Sequence, residues 1–493
     1  MIITHCTTHA ERALEKAWLD IQEHPVFSPD GDSFLMLAPV QEGSRETYTH
    51  IKHVTVTQQH IAVLSHGRHE VSKILSWDTV SHLIYYLATE EKKPGQRHLY
   101  VVRDPSTDDP RRLESHCITC DLGDVLWSSR YLYGNCTHFS AQVSPRSEFS
   151  NSSFYVLHCE GSGLPLAAMH NASTHKVVKI LYDTRPQLWP LLEQYAMPKK
   201  KSFEVPLPQG SWAQVQLLLP PSWREELRDA AYPVLVEVNG RPGSKSVTDQ
   251  FKVDWGTYMS SHCDVVYVKL DVRGARGQSD RAIYHQLGGV EVQDQVTVLE
   301  HLLEKHKYLD KTRVGLWGWG YGGYVTAMVL GLGNQQKVFK CGIAVNSAFT
   351  EKILGLPNEN YKGYVEADAT QRARNIPKKS FFLMHGLADL TAPYQHGISL
   401  ARALAEAGIL FRYQKIGIKF LTYATKPANR SEIGSDYKYQ ICCLINNGKI
   451  KVDIYGVIEH VYRSMQNFFE ECLKLDTEEK MKEREEKKEE AKK

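Results

Sequence analysis

Nothing in the 493 residues runs apolar for 18 or more positions, so the sequence offers no helix able to cross a bilayer. The opening stretch "MIITHCTTHAERALEKAW" has no apolar core and does not read as a secretory signal. Net charge is scarce. With 59 basic against 57 acidic side chains the balance is +2, which gives no electrostatic reason to expect nucleic acid or an anionic membrane as a partner. Histidine is present in 22 copies, yet none falls between His396 and His460. Cys117-x-x-Cys120 has no second CxxC pair and no histidine cluster in the sequence to complete a zinc site, so neither a metal nor a cofactor is expected.

What is present is ordinary for a globular protein: 42% apolar and 24% charged residues, on a chain long enough for two cores. Residues 1–200 alternate short strands with turns, as in "DSFLMLAP", "HIAVLSH", "HLIYYLAT" and "SFYVLHC", separated by "SPDGD", "KKPGQ" and "GSGLP". The spacing suggests propeller blades of about 40 to 50 residues, hence three or four of them. Residues 201–474 change texture to strand-helix alternation, the mark of a parallel sheet covered by helices. Val292, Val296, Leu299 and Leu303 fall at helical spacing, as do Tyr462, Met465, Phe469 and Leu473 in the last helix. Gly408 closes a helix as a C-cap, and 475–493 form a charged tail.

The stretch "VGLWGWGYGGYVTAM" (314–328) has the strand-turn-helix layout of a nucleophile elbow, G-x-S-x-G, whose serine hydroxyl would stand in a cleft. Here the motif reads Gly318-Trp319-Gly320-Tyr321-Gly322, so glycine occupies the nucleophile position. Four N-x-[ST] sequons, at Asn135, Asn151, Asn171 and Asn429, are candidate glycosylation sites, and ten cysteines suit an extracytosolic setting.

Around "DVRGARGQSD", "LGGVEVQDQV", "GYVTAMVLG", "FKCGIAV" and "HGLAD", and more loosely through "PVFSPDGDSF", "GSGLPL" and "MPKKKSFEVPL", the chain resembles the dipeptidyl peptidase IV family of the prolyl oligopeptidase group of serine peptidases. The resemblance implies an α/β hydrolase domain preceded by an incomplete β-propeller. It breaks at about 415–458, where the sequence has no hydrophobic period that fits the fold; intron sequence read through in frame would give that texture. The resemblance also implies disulfides Cys117–Cys120, Cys136–Cys159 and Cys341–Cys472.

Acyl transfer on this fold needs a serine, an acid, a histidine and two oxyanion donors. Mapped by resemblance, the nucleophile is Gly320, the acid Asp389 is retained, and the histidine loop is replaced. The oxyanion donors become the Tyr321 backbone and Asn239, and the proline-pocket residues Phe349 and Ile353. His385 precedes the acid and matches a non-catalytic histidine, and His460 starts the terminal helix. The paired glutamates that read a free peptide N-terminus would lie upstream of Met1. These losses make a non-catalytic family member the expectation, a binding or regulatory glycoprotein at the extracellular face of the plasma membrane or secreted. A homodimer through the hydrolase domain is implied, and a membrane-protein partner by analogy alone. The alternative is an active serine-type dipeptidyl peptidase that cleaves after X-Pro with unrecognised residues.

Overall fold

The structure is a computed structural model. It describes residues 24–42, 46–57, 60–104, 114–120, 130–144, 146, 153–226, 231–238, 241–276, 283–347, 351–387, 389, 392–416, 419–421, 441–446, 449–451 and 454–475. Contacts divide the chain into two compact units, Met1–Ala196 with Thr248–Lys252, and Met197–Val247 with Val253–Lys493.

Among the described residues the first unit holds three antiparallel groups of four strands. β1 (Val26–Phe27), β2 (Ser33–Glu42), β3 (Glu46–Thr55) and β4 (His60–Val63) pair in chain order. β5 (Val71–Asp78), β6 (Leu83–Glu90), β7 (Lys93–Arg103) and β8 (His116–Cys117) do the same. So do β9 (His138–Ser144), β10 (Phe154–Gly161), β11 (Leu166–Asn171) and β12 (Val177–Asp183), with β9 and β10 on the inner side. This up-and-down repeat of four-stranded blades is that of a propeller. Among the described residues one parallel pairing, Arg97 with His138, links the sheets of the second and third blades. Along β10 alternate residues are buried, because Tyr155, Leu157 and Cys159 face the core and their neighbours face out. β12 is the outermost strand of its blade, and its Val178, Ile180 and Leu181 are exposed.

Residues 248–252 return to the third blade: Phe251 N–H donates to the Glu160 carbonyl at 2.7 Å, and Thr137 Oγ1 to Asp249 Oδ2 at 2.9 Å. At the same junction Glu160 takes Arg97 Nη2 at 2.7 Å and Ser140 Oγ at 2.6 Å, with His138 Nδ1 at 3.6 Å. Burial alone would raise the Glu160 carboxyl, but His138, Arg97 and Ser140 outweigh it and hold it down to about 2. A carboxyl depressed in the folded state adds stability above its ordinary range, and that stability is lost as pH falls towards about 2. Glu160→Gln is therefore expected to cost about 1–2 kcal/mol at neutral pH after allowance for its partial exposure. It should also flatten acid unfolding below the ordinary carboxylate range. Identical pH–stability curves for the two proteins would show that the cluster contributes nothing.

The second unit is built on an eight-stranded sheet. In sequence its strands are β13 (Lys199–Pro206), β14 (Trp212–Leu219), β15 (Tyr232–Val238), β16 (Val266–Asp271), β17 (Leu309–Trp319), β18 (Cys341–Val345), β19 (Phe381–Gly386) and β20 (Arg412–Ile416). In space they run β13-β14-β16-β15-β17-β18-β19-β20. The first two joins are antiparallel and the rest parallel. β18 is wholly buried and reads as a continuous apolar run, the signature of a parallel strand covered on both faces. This is the α/β hydrolase order, with a propeller region before it.

The helices that carry the argument are α1 (Trp255–His262), α2 (Val290–Lys305), α3 (Tyr321–Leu330), α4 (Tyr394–Glu406) and α5 (Ile454–Leu473). α1 starts with a capping box: Asp254 accepts from Thr257 N–H, and the Thr257 hydroxyl answers the Asp254 backbone. Val292, Val296, Leu299 and Leu303 bury one face of α2. α4 ends where Gly408, at φ +67°, lets Gly408 N–H reach the Ala405 carbonyl and Ile409 N–H the Leu404 carbonyl. Met465, Phe469 and Leu473 of α5 are fully buried beside Trp317 and Ile343, with Tyr462 packed at the margin. Within 415–458 the backbone forms a small antiparallel sheet of β21 (Lys419–Leu421), β22 (Ile441–Asn446) and β23 (Lys449–Lys451). Side chains of 417–457 and the tail from 476 onward lie outside the described residues.

Candidate functional site

β17 climbs to Trp319 and hands over to α3 through one residue, Gly320, at φ 58° and ψ −118°. Two flanking glycines are forced by close approach. A Cβ at Gly318 would stand 2.2 Å from the Gly322 carbonyl carbon and 2.7 Å from the Val238 oxygen, and one at Gly323 would stand 2.9 Å from the Val345 oxygen. Gly320 is different: a Cβ there meets nothing within 4 Å. The elbow therefore keeps its strained backbone and an open place for a side chain, and supplies no side-chain atom to it.

Behind the turn lies a buried polar cluster. Tyr321 is 5% exposed, and its hydroxyl donates to Glu291 Oε1 at 2.9 Å, so it belongs to the interior and not to the cleft. Glu291 also accepts from the Gly288 N–H, while its other oxygen has no hydrogen-bond partner. Burial pushes the Glu291 carboxyl up against the opposing effect of these two donors. One helical turn on, Asp294 forms a buried two-point ion pair with Arg273, at 2.6 and 2.8 Å. This network anchors α2 beneath the elbow.

The acid position is occupied and already engaged. Asp389 lies three residues past the end of β19, 5% exposed. Its Oδ2 accepts from Asn346 Nδ2 at 2.7 Å and its Oδ1 from the Ala392 N–H at 3.0 Å. It thus caps the turn into α4. Asn346, at φ 47°, also accepts from the Gly386 N–H at 2.8 Å, and its neighbour Val345 accepts from the Gly320 N–H at 2.8 Å. Two consecutive residues at the end of β18 therefore tie elbow and acid together. Sequence reasoning passed over Asn346, because an asparagine after a strand gives no sign that its backbone will turn left-handed.

Among the described residues, neither His385 nor His460 is placed to serve Asp389 as a base. His385 is fully buried inside β19, and its Nε2 donates to the Ala392 carbonyl at 2.8 Å. Burial depresses its basicity, with that carbonyl and Asp389 opposing. Gly397 of α4 packs so closely on this ring that a Cβ would stand 2.5 Å from Nδ1, which fixes His385 as a packing residue. His460 is exposed on α5, where its Nε2 accepts from Gln414 Nε2 at 2.7 Å.

The remaining positions divide. The Tyr321 backbone, mapped by resemblance to an oxyanion donor, opens α3, where N–H groups have no intrahelical acceptor. Asn239 and Phe349 lie outside the described residues, but the loop after β15 is held by Asp271, which accepts from Ser246 and Val247 N–H at 2.8 and 2.9 Å. Ile353, which the resemblance maps to the proline pocket, is 1% exposed. Three disulfides join Cys117–Cys120, Cys136–Cys159 and Cys341–Cys472. Asn135 is exposed, whereas Asn171 is half-buried with its side-chain oxygen accepting from Ser173 and Thr174; Asn151 and Asn429 lie outside the described residues. No helix among the described residues is long and apolar enough to cross a membrane. Among them, His98 with Cys117 and Cys120 is the group at metal-ligand distance, and its sulfurs are bonded to each other.

Residues 251–416 match the prolyl oligopeptidase family, and residues 2–166 the dipeptidyl peptidase IV (DPP IV) N-terminal region. The dipeptidyl peptidase 4 of Sus scrofa is 33% identical over 79% of this chain and 48% of its own. The inactive dipeptidyl peptidase 10 of Mus musculus is 28% identical over 93% of this chain and 52% of its own. The crystal structure of Porphyromonas gingivalis dipeptidyl peptidase 4 superimposes with a TM-score of 0.65 at 23% identity, over 79% of this chain and 51% of that one. The chain spans about half the length of the curated relatives it matches. With an elbow, an acid turn and propeller blades in family order, the chain belongs to the dipeptidyl peptidase IV family, within the prolyl oligopeptidase group of serine peptidases.

Proposed function

We propose that this chain is a catalytically inactive member of its family, acting through its surfaces as a binding or regulatory glycoprotein. The observation that carries the reading is Gly320: an elbow in working conformation, with free space at its apex and no hydroxyl to fill it. The absence of any histidine from 397 to 459, the stretch that follows the acid, supports it. A relative named as an inactive dipeptidyl peptidase 10 is a precedent for such a loss.

Pairing of two chains through the hydrolase unit and a glycosylated, extracellular setting belong to the same reading. Three disulfides suit an oxidising compartment, and Asn135 stands exposed in a sequon. A sedimentation mass of one chain would remove the dimer, and Asn135 found unmodified in secreted material would remove that glycan.

The alternative is a serine-type dipeptidyl peptidase, favoured by the 33% identity to a dipeptidyl peptidase 4. Purified protein incubated with X-Pro dipeptide reporters and a fluorophosphonate probe separates the two. Neither turnover nor labelling is expected. A serine that labels stoichiometrically, mapped by peptide sequencing, would establish the peptidase instead.

A further inference from the structure

The second blade carries three soft ligands on two facing segments. His98 lies in β7, and β8 runs antiparallel to it with Tyr100 opposite Cys117, so the Cys117-x-x-Cys120 turn folds over the start of β7. A ring nitrogen of His98 and the two sulfurs all lie within 4.8 Å of one another. The sequence hides this trio, because 19 residues of chain, by number, separate His98 from Cys117 and only strand pairing joins them.

The His98 ring is buried and already oriented. Its Nε2 faces Gln96 Oε1 at 3.2 Å and Glu90 Oε2 at 3.8 Å, both acceptors, so Nε2 holds the proton and Nδ1 carries the lone pair. Nδ1 meets the hydroxyl of Thr119, the residue just before Cys120, at 3.1 Å. That hydroxyl also accepts from the Leu99 N–H at 3.0 Å, which pins the turn to β7. A second acceptor on the far nitrogen of a histidine is what metal sites use to fix the tautomer of a ligand ring. In the turn itself the Cys120 N–H points at Cys117 Sγ, 3.0 Å away. A donor placed on sulfur favours the thiolate over the thiol. The Cα atoms of the two cysteines stand 5.6 Å apart, close enough for both sulfurs to bind one ion.

We propose that the Cys117–Cys120 disulfide, when reduced, becomes with His98 a three-ligand site for a soft or borderline divalent cation of the zinc class. The balance is simple. A dithiol reductant delivers two electrons and two protons to the disulfide and leaves as its own cyclic disulfide. The cation then displaces one proton from each thiol, binds both thiolates, and takes the Nδ1 lone pair in place of the Thr119 hydroxyl. Two sulfurs and one imidazole are a set that zinc accepts, with a fourth position left to water. Cys120 is exposed and Cys117 half-buried, so solvent reaches that side.

The location also makes the switch selective. Cys136, Cys159 and Cys341 are buried and Cys472 is half-buried, whereas Cys120 is exposed, so a mild dithiol reaches Cys117–Cys120 first. The full-length protein, gently reduced and freed of reductant without air, is titrated with Co2+ and then Zn2+. One equivalent of Co2+ giving thiolate-to-cobalt absorption, abolished in the oxidised protein and displaced by Zn2+, is expected. Cys117→Ser/Cys120→Ser removes it, and His98→Ala weakens Co2+ at least about tenfold. Because these variants alter a blade, the wild type supplies an independent reading: Zn2+ should slow alkylation of Cys117 and Cys120 at least about tenfold relative to the same reduced protein without metal. No absorption, unchanged alkylation at the two cysteines, or His98→Ala binding Co2+ as tightly as wild type overturns the proposal.

Discussion

Returning a hydroxyl to the elbow, as Gly320→Ser, leaves X-Pro turnover and fluorophosphonate labelling at the wild-type background. Space is not the obstacle, since a Cβ at this position meets nothing within 4 Å. The backbone is only a modest one: a serine at φ 58° and ψ −118° costs about 1–3 kcal/mol, so the variant folds and circular dichroism should match the parent. What remains missing is the base. In serine peptidases the triad acts as a unit, and loss of the histidine alone lowers kcat by about as much as loss of all three groups, on the order of a millionfold. His385 cannot replace it, being buried and donating to the Ala392 carbonyl. Turnover in Gly320→Ser within a hundredfold of an intact family enzyme would mean that a base exists which the described residues do not reveal.

Removing the Cys341–Cys472 bond, by Cys341→Ala with Cys472→Ala, is expected to cost about 3–5 kcal/mol in chemical denaturation. The bond closes 131 residues of sequence, and a long closed loop removes the most entropy from the unfolded chain. It also joins two parts of one core: Cys341 opens β18, and Cys472 lies near the end of α5. The atypical segment 415–458 falls inside that loop, so α5 is fastened to the sheet by a covalent link as well as by Met465 and Phe469. A loss under about 1 kcal/mol would show that apolar packing alone seats the helix and that the loop argument fails here.

The sequence revealed the elements whose cause is local. A 3.6-residue period placed α2 and α5, because burial follows the helical face; glycine at the end of α4 announced its stop, because only φ above zero allows the closing bonds. Strand texture and turn chemistry identified blades, since each blade is a run of hairpins. The Gly318–Gly322 motif was readable for the same reason: a tight strand-to-helix turn needs glycines wherever it lies. The return of 248–252 to the third blade was not readable, because its pairing partners lie about ninety residues earlier.

What the sequence alone decided is chemical: no side-chain oxygen at position 320 and no histidine from 397 to 459. Atoms that are absent from a chain stay absent in any conformation. What only tertiary structure decided is proximity: Asn346 on Asp389, Tyr321 on Glu291, and His98 beside Cys117 and Cys120. Those partners sit on different strands and helices, and strand order, not distance along the chain, sets which of them touch.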